Sequence, residues 1–575
     1  MRILIKYLSI LMFVTSCYLF FLFVVPYQIG FKEQMQMFVY NSSYLLSYFS
    51  KPAVFACLGG DFFTQFLFFK AGGAAVVTLL LATEWWLIYL TLKRFSVKTQ
   101  HTTSSIVTLY VVALLPVIVE WMFLPTYQFS LDLSVSFIIA LASFLIYAKT
   151  ERKVSIITGF LLIPVLYWIA GTSVFLFIIL VVLYDIYCGR KRYIYLAVCL
   201  AAGIFLPLLI RHSYLLTLKQ AYIYPYPSVN HGLSIIVLAV IVLLYVCFRN
   251  LKFKILKPAV MLFAFVSLLL LISRLVQTTD KDRENLFGMI IETHDENWDR
   301  VLSISEKAAL NNFVATIYTN IALSQKSLLG ERLFDFYQPF TSGLMPRFTA
   351  STNVIENLTA SDVYYYLGDM DMAQRGTLFA LISSPKKRSA QLVGRLVDIN
   401  LSIGDTTAAN KYIQMLESTL FHKKKIESGN KKSIQRRERV IFNADIIRNE
   451  HNILAALELL VKSNPDNLTA VNYLLCYYLL NIDIFSFFEA YTLYGKKESN
   501  HIPKVYAEAL IIYCTVTGTT DKVADYGIHP DIIRSFSDYN RLYKQSGDNL
   551  NLMLERYPNS YWPFYQAAIL RRTNN

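Results

Sequence analysis

A chain of 575 residues that is 55% hydrophobic and 15% aromatic, with a mean hydropathy of +0.42, is too apolar for a soluble protein of this size. Its net charge of +14 does not require a nucleic-acid partner, because polytopic membrane proteins gather Lys and Arg in their cytoplasmic loops. Seven cysteines without a CxxC spacing, mostly in or beside apolar runs, support neither a disulfide framework nor a zinc site.

Arg2 and Lys6 precede about nineteen nearly uncharged residues, enough for one spanning helix. Val14 to Cys17 loosely matches a lipoprotein cleavage box, but the apolar run continues well past Cys17, which argues for a retained span. The stretch from Tyr27 to Lys70 follows; it is too polar to cross a bilayer and too apolar to lie free in water, so it is expected at the membrane interface. Further apolar runs at about 72–92, 104–124, 131–148, 154–170, 172–188, 193–210, 232–248 and 257–276 bring the expected spans to about nine. Alternate connecting segments hold fifteen cations, among them Lys93, Arg94, Arg190, Lys191 and Arg192, against five on the opposite side: Lys32, Lys51, Lys70, Arg211 and Lys219. That asymmetry predicts a cytoplasmic N-terminus and, with an odd number of spans, an outer location for everything after residue 277.

Residues 277–575 have soluble composition and the helical period of 3.6. Ser361, Tyr364, Gly368, Ala373, Ala380 and Pro385 match the tetratricopeptide spacing: small residues let two helices approach, Gly serves the turn and Pro ends the second helix. Gly404 and Ala409 repeat two of those positions 36 residues on. The expected fold is therefore all-α, with a polytopic transmembrane bundle over 1–276, a large outer loop at 27–70 and an outer, TPR-like helical-repeat domain over 277–575. The basic run from Lys423 to Arg439 reads as a solvated segment or as one drawn to anionic head groups.

No GxxxxGK[ST], HExxH or GxSxG occurs, and the eight histidines, including His212, His231 and His422, show no metal-ligand spacing. Candidate chemistry falls to charges near the membrane. Glu33 is placed where a lipid-linked substrate would present its head group, although a pair with Lys32 would explain it structurally. Asp61 follows Gly59 and Gly60 and is either a second acid or the N-cap of a helix starting at Phe62. Glu84 and Glu120 fall inside apolar runs, where an ionisable group is costly; Trp85 and Trp86 suggest a shallow position for Glu84, whereas Glu120 is expected nearer the site. On the second outer loop Arg211, His212 and Lys219 could hold a phosphate, or reach lipid head groups instead.

The stretches KEQMQMFVYNSSYLLSYFSKP, GGDFFTQFLFF, SDVYYYLGDMDMAQRGTLFALISSP, AANKYIQMLESTLFHKK and SYWPFYQ resemble an uncharacterised family of Bacteroidota inner-membrane proteins, which implies a Gram-negative envelope location and hence a periplasmic TPR-like domain over 277–575. The layout is similar to the GT-C class of membrane glycosyltransferases, whose early acidic loop residue Glu33 matches in position, although the usual paired acid is missing. That likeness implies a polyprenyl-phosphate-linked sugar donor, Glu33 as general base or ligand of a divalent metal, Asp61 and Glu120 as second candidates, and Arg211, His212 and Lys219 on the leaving phosphate. No other cofactor is implied. The competing expectation is a non-catalytic scaffold whose repeats bind periplasmic proteins; a transporter ranks third, since intramembrane charges are few and no repeat relates two halves.

Overall fold

The computed structural model describes residues 2–96, 109–226, 232–247, 280–346, 353–423, 453–495, 501–547 and 549–573. Among these every regular element is a helix, and the chain is all-α. It divides into two compact units, Met1–Asp280 with Glu417–Lys423, and Lys281–Leu416 with Lys424–Asn575.

In the first unit four helical stretches are long and apolar enough to cross a membrane: Lys70–Phe95, Leu131–Lys149, Val154–Tyr187 and Tyr193–Ile210. A fifth is added if Ile10–Val24 and Pro26–Gln34, bent by 74°, count as one. The chain thus has the makings of a membrane protein, and four to five of the about nine expected spans are found among the described residues. Leu109–Phe123 and Leu233–Leu244 are shorter apolar helices, and the run at 257–276 lies outside the described residues, as do residues 104–108 and most of the basic run after Lys423. The first run does not cross straight, because its last turn opens into a π-helical turn, Phe20–Val24, before Pro26 starts a new helix at its first position.

The 34-residue stretch Val154–Tyr187 folds back on itself at Gly171–Ser173. Ser136, near the start of Leu131–Lys149, donates to the Ala170 carbonyl at 2.6 Å and meets Ser173. At the other end of that same helix Tyr147 donates to Asp185 at 3.1 Å. Gly159 on the first leg also lies against Tyr147, so residues 159 and 185 share one end while 170–173 sit at the other, and the two legs are antiparallel. Gly171 makes the reversal with φ of +67°, a backbone that L side chains avoid.

Aromatic packing fills the bundle. The buried Trp121 ring is met by Phe13, Phe20 and Phe21 at 6.0, 5.3 and 6.1 Å, which fixes the first helix against Leu114–Phe123. The helix Val54–Thr64 presses on the start of Leu131–Lys149 so closely that a Cβ on Gly60 would lie 2.2 Å from the Asp132 nitrogen. Only glycine fits there.

The second unit is built from paired helices. Val354–Leu367 and Met370–Ser383 join at Gly368, which ends the first helix with φ of +90°, and Ser361, Ala373 and Ala380 are fully buried between them. Gly404 (φ +87°) ends Ala390–Ile403 in the same way, ahead of the buried Ala409 on Thr406–Glu417. Neighbouring pairs are tied by the buried ion pair of Arg395 and Asp362, at 2.7 Å.

Candidate functional site

The site begins with the short helix Pro26–Gln34, on which Lys32 and Glu33 are both buried. They do not pair. The Lys32 ammonium instead donates to the Leu124 carbonyl and, at 2.7 Å, to that of Phe129, and so satisfies carbonyls at and beyond the C-terminal end of Leu114–Phe123. Glu33 is left to bond His422, whose Nε2 is 2.6 Å from Glu33 Oε1. The expected Lys32–Glu33 pair is corrected by this arrangement: two backbone carbonyls hold the ammonium.

His422 lies 389 residues downstream of Glu33, within the stretch Glu417–Lys423 that belongs to the first unit. Its neighbour Phe421 is the wedge that seats it. That ring stacks on Phe68 at 5.7 Å and meets Phe66 and Phe69 at 5.8 and 5.1 Å, while Phe68 also lies edge-on to the imidazole at 5.2 Å. The Tyr40 amide donates to the Ser418 carbonyl at 2.8 Å and closes the attachment. Glu33, Gln36, Thr64, Gln65, Thr419 and His422 line a narrow cleft.

Asp61 is buried one turn before the end of Val54–Thr64, so it is not an N-cap; Ala53 holds that position. Its Oδ2 accepts from Tyr48 at 2.6 Å, and its carbonyl accepts from Gln36 at 3.0 Å. Burial first, then the adjacent Asp61 carboxylate, pushes the Tyr48 phenol well above its usual range, so Tyr48 serves as a fixed donor. Asp61 therefore braces the loop that carries Glu33, through Gln36, and does not line the cleft.

Glu120 is elsewhere. It is buried on Leu114–Phe123, accepts from Ser134 and adjoins Ser234 and Glu84. Glu84 has no exposed surface at all; beside it Trp85 is buried and Trp86 is exposed. Glu84 and Glu120 are neighbours and both are buried, so the two form an acid cluster inside the bundle.

Arg211 is half-buried at the end of Tyr193–Ile210, and His212 and Lys219 are exposed; none of the three lines the Glu33 cleft. The two long loops do touch, but through Tyr224. Its carbonyl accepts from the Thr172 amide at 2.9 Å, its hydroxyl lies 3.7 Å from Cys57 Sγ, and Lys51 sits over its ring at 5.9 Å.

His422 is the residue that sequence reasoning passed over; its one local signal is the apolar pair Leu420 and Phe421 just before a strongly basic run. Among the described residues no three His, Cys, Asp or Glu side chains gather as a metal site. An acid holding one imidazole nitrogen can fix the ring and leave the other nitrogen to accept or deliver a proton. Comparison with curated proteins and with solved structures finds no match. The chain belongs to a family of unknown function (DUF6057), which it matches over residues 1–568.

Proposed function

We propose that this is a polytopic bacterial inner-membrane enzyme that moves a sugar or related group from a polyprenyl-phosphate carrier to an envelope acceptor, with Glu33 and His422 as its acid–base pair. The observation that carries this reading is the 2.6 Å contact between Glu33 Oε1 and His422 Nε2 in a cleft of the 27–70 loop. In that scheme His422 Nδ1 takes the proton of the acceptor hydroxyl as its oxygen bonds the anomeric carbon. The bond from that carbon to the carrier phosphate breaks, and the phosphate leaves with the electron pair. Glu33 holds the imidazole and stabilises it when it is charged.

In this reading the N-terminus is cytoplasmic, as the charge asymmetry of the connecting segments supports, and the TPR-like second unit is periplasmic. The pairing around Gly368 and Gly404 favours a second role for that unit, the recruitment of periplasmic proteins.

The test is a deletion strain complemented with wild type, Glu33→Gln or His422→Gln, with polyprenyl-linked intermediates and envelope glycans profiled. Both variants are expected to accumulate the lipid-linked donor as the deletion does. Profiles equal to wild type, with both variants at wild-type levels in the membrane, would overturn the catalytic assignment and leave the scaffold reading.

A further inference from the structure

A cavity of about 330 Å³ opens in the second unit, lined in part by Ser305, Glu306, Asn311, Arg332, Asp335 and Tyr337. Its chemistry is selective. Arg332 sits between the two acids, Nη2 at 3.0 Å from Glu306 and Nε at 2.9 Å from Asp335, with its guanidinium 5.4 Å from the Phe336 ring. The cation is thus already matched, and the three charges carry a formal excess of one negative. A phosphate or carboxylate ligand would meet that excess and find no uncommitted cation among the described lining residues. A cationic ligand would have to displace Arg332 from both acids at once.

What stays available is neutral hydrogen bonding. Each carboxylate accepts several bonds and spends one on Arg332. The Asn311 and Asn559 amides both donate and accept. Such a mixture matches groups that do both themselves, namely hydroxyls. Tyr337, 48% exposed, adds an aromatic surface at the same cavity, held because its carbonyl accepts from Thr316 at 3.1 Å. Polar groups beside an aromatic face suit a pyranose ring, which has hydroxyls at its edge and apolar C–H groups on its face. The volume is at the lower end for small-molecule sites and admits roughly one or two such rings.

We infer that the cavity bounded by Arg332, Glu306, Asp335, Asn311 and Tyr337 is a binding site for an uncharged carbohydrate. It stands apart from the Glu33–His422 pair and does not depend on it.

The test uses the full chain in a detergent without a sugar head group. N-acetylglucosamine, galactose and maltose are titrated by calorimetry and by saturation-transfer NMR, beside glucose-1-phosphate and lysine methyl ester. At least one neutral sugar is expected to bind, with glucose-1-phosphate at least tenfold weaker. Tyr337→Ala should weaken binding at least tenfold and Asn311→Ala several-fold, while Glu33→Gln should leave it unchanged. Circular dichroism and hydrogen exchange of the second unit certify that each variant is folded. Absence of binding by all three sugars overturns the inference, as does preferential binding of lysine methyl ester, or neutral-sugar binding that folded Tyr337→Ala and Asn311→Ala leave intact.

Discussion

Replacing Arg395 with Met should destabilise the second unit far more than replacing both members of its ion pair. Asp362 has no exposure and Arg395 3%; they meet at 2.7 Å, and Tyr318 donates to the other carboxylate oxygen at 3.0 Å. Burial outweighs the pull of the guanidinium and holds the Asp362 carboxyl above its usual range, so this acid is poorly suited to standing alone. Arg395→Met leaves it with the Tyr318 donor but no cation, and breaking one side of a buried pair costs about 3–5 kcal/mol. The guanidinium also lies 3.8 Å from the centre of the Tyr365 ring, a contact worth about 1–2 kcal/mol when desolvated. Met keeps the volume of the stem but loses both. The double variant Asp362→Asn with Arg395→Met removes the stranded charge and should recover most of the loss. Hydrogen exchange read over Ala390–Ile403 and Val354–Leu367 in the full chain reports the effect, with the single variant losing protection in both helices. A single-variant cost below about 1 kcal/mol, or a double variant whose cost equals the two singles added together, would refute the reasoning.

Three further outcomes follow from individual contacts. Glu508 is 2% exposed and accepts from the Tyr561 amide at 2.7 Å; burial raises its carboxyl from 4.5 to about 7 against the pull of that amide and of Lys504. The native state then holds a proton that the unfolded chain has released, so between about pH 4.5 and 7 stability should fall as pH rises, by about 3 kcal/mol in all. Unfolding midpoints across that range should show the slope in wild type and lose it in Glu508→Gln; a flat wild-type profile would contradict the assignment. Gly60→Ala should abolish monodisperse protein in detergent, because its Cβ would lie 2.2 Å from backbone, whereas Gly59→Ala meets only a Val135 methyl at 3.3 Å and should be recovered; equal yields would be inconsistent with the packing. Phe421→Ala should cost the attachment of 417–423 about 2 kcal/mol and speed tryptic cleavage at Lys423, with Glu33→Gln having the smaller effect; the reverse order would mean that the polar contact, not the ring packing, seats the segment.

Helicity and membrane character could be read from composition and period, because both are local. The turn glycines Gly368 and Gly404 were legible for the same reason: each ends a helix with positive φ, a backbone requirement that the residue type itself announces. The number of full spans was not. Apolar content alone cannot say that the first run opens at Phe20–Val24 and turns by 74°. Glu84 and Glu120 could each be singled out as costly in an apolar helix, but their meeting depends on the rotational register of two helices, which one-dimensional spacing does not contain. Asp61 misled because a Gly-Gly-Asp string looks like a helix start, yet that helix already begins at Val54.

The cleft at Glu33 shows how two adjacent charges can take different work. On a short helix Lys32 and Glu33 point in different directions, about 100° apart, so they need not satisfy one another. Carbonyls of Leu124 and Phe129 take the ammonium, a structural duty that fixes the rotation of Pro26–Gln34. Fixing that rotation aims Glu33 at His422, and the aromatic cage of Phe66, Phe68 and Phe69 around Phe421 brings the imidazole to meet it. A Lys32–Glu33 pair would have spent the carboxylate locally. With Lys32 committed to backbone, the acid keeps an oxygen for the histidine, and the position of Lys32 in the sequence becomes a condition for the chemistry proposed at Glu33.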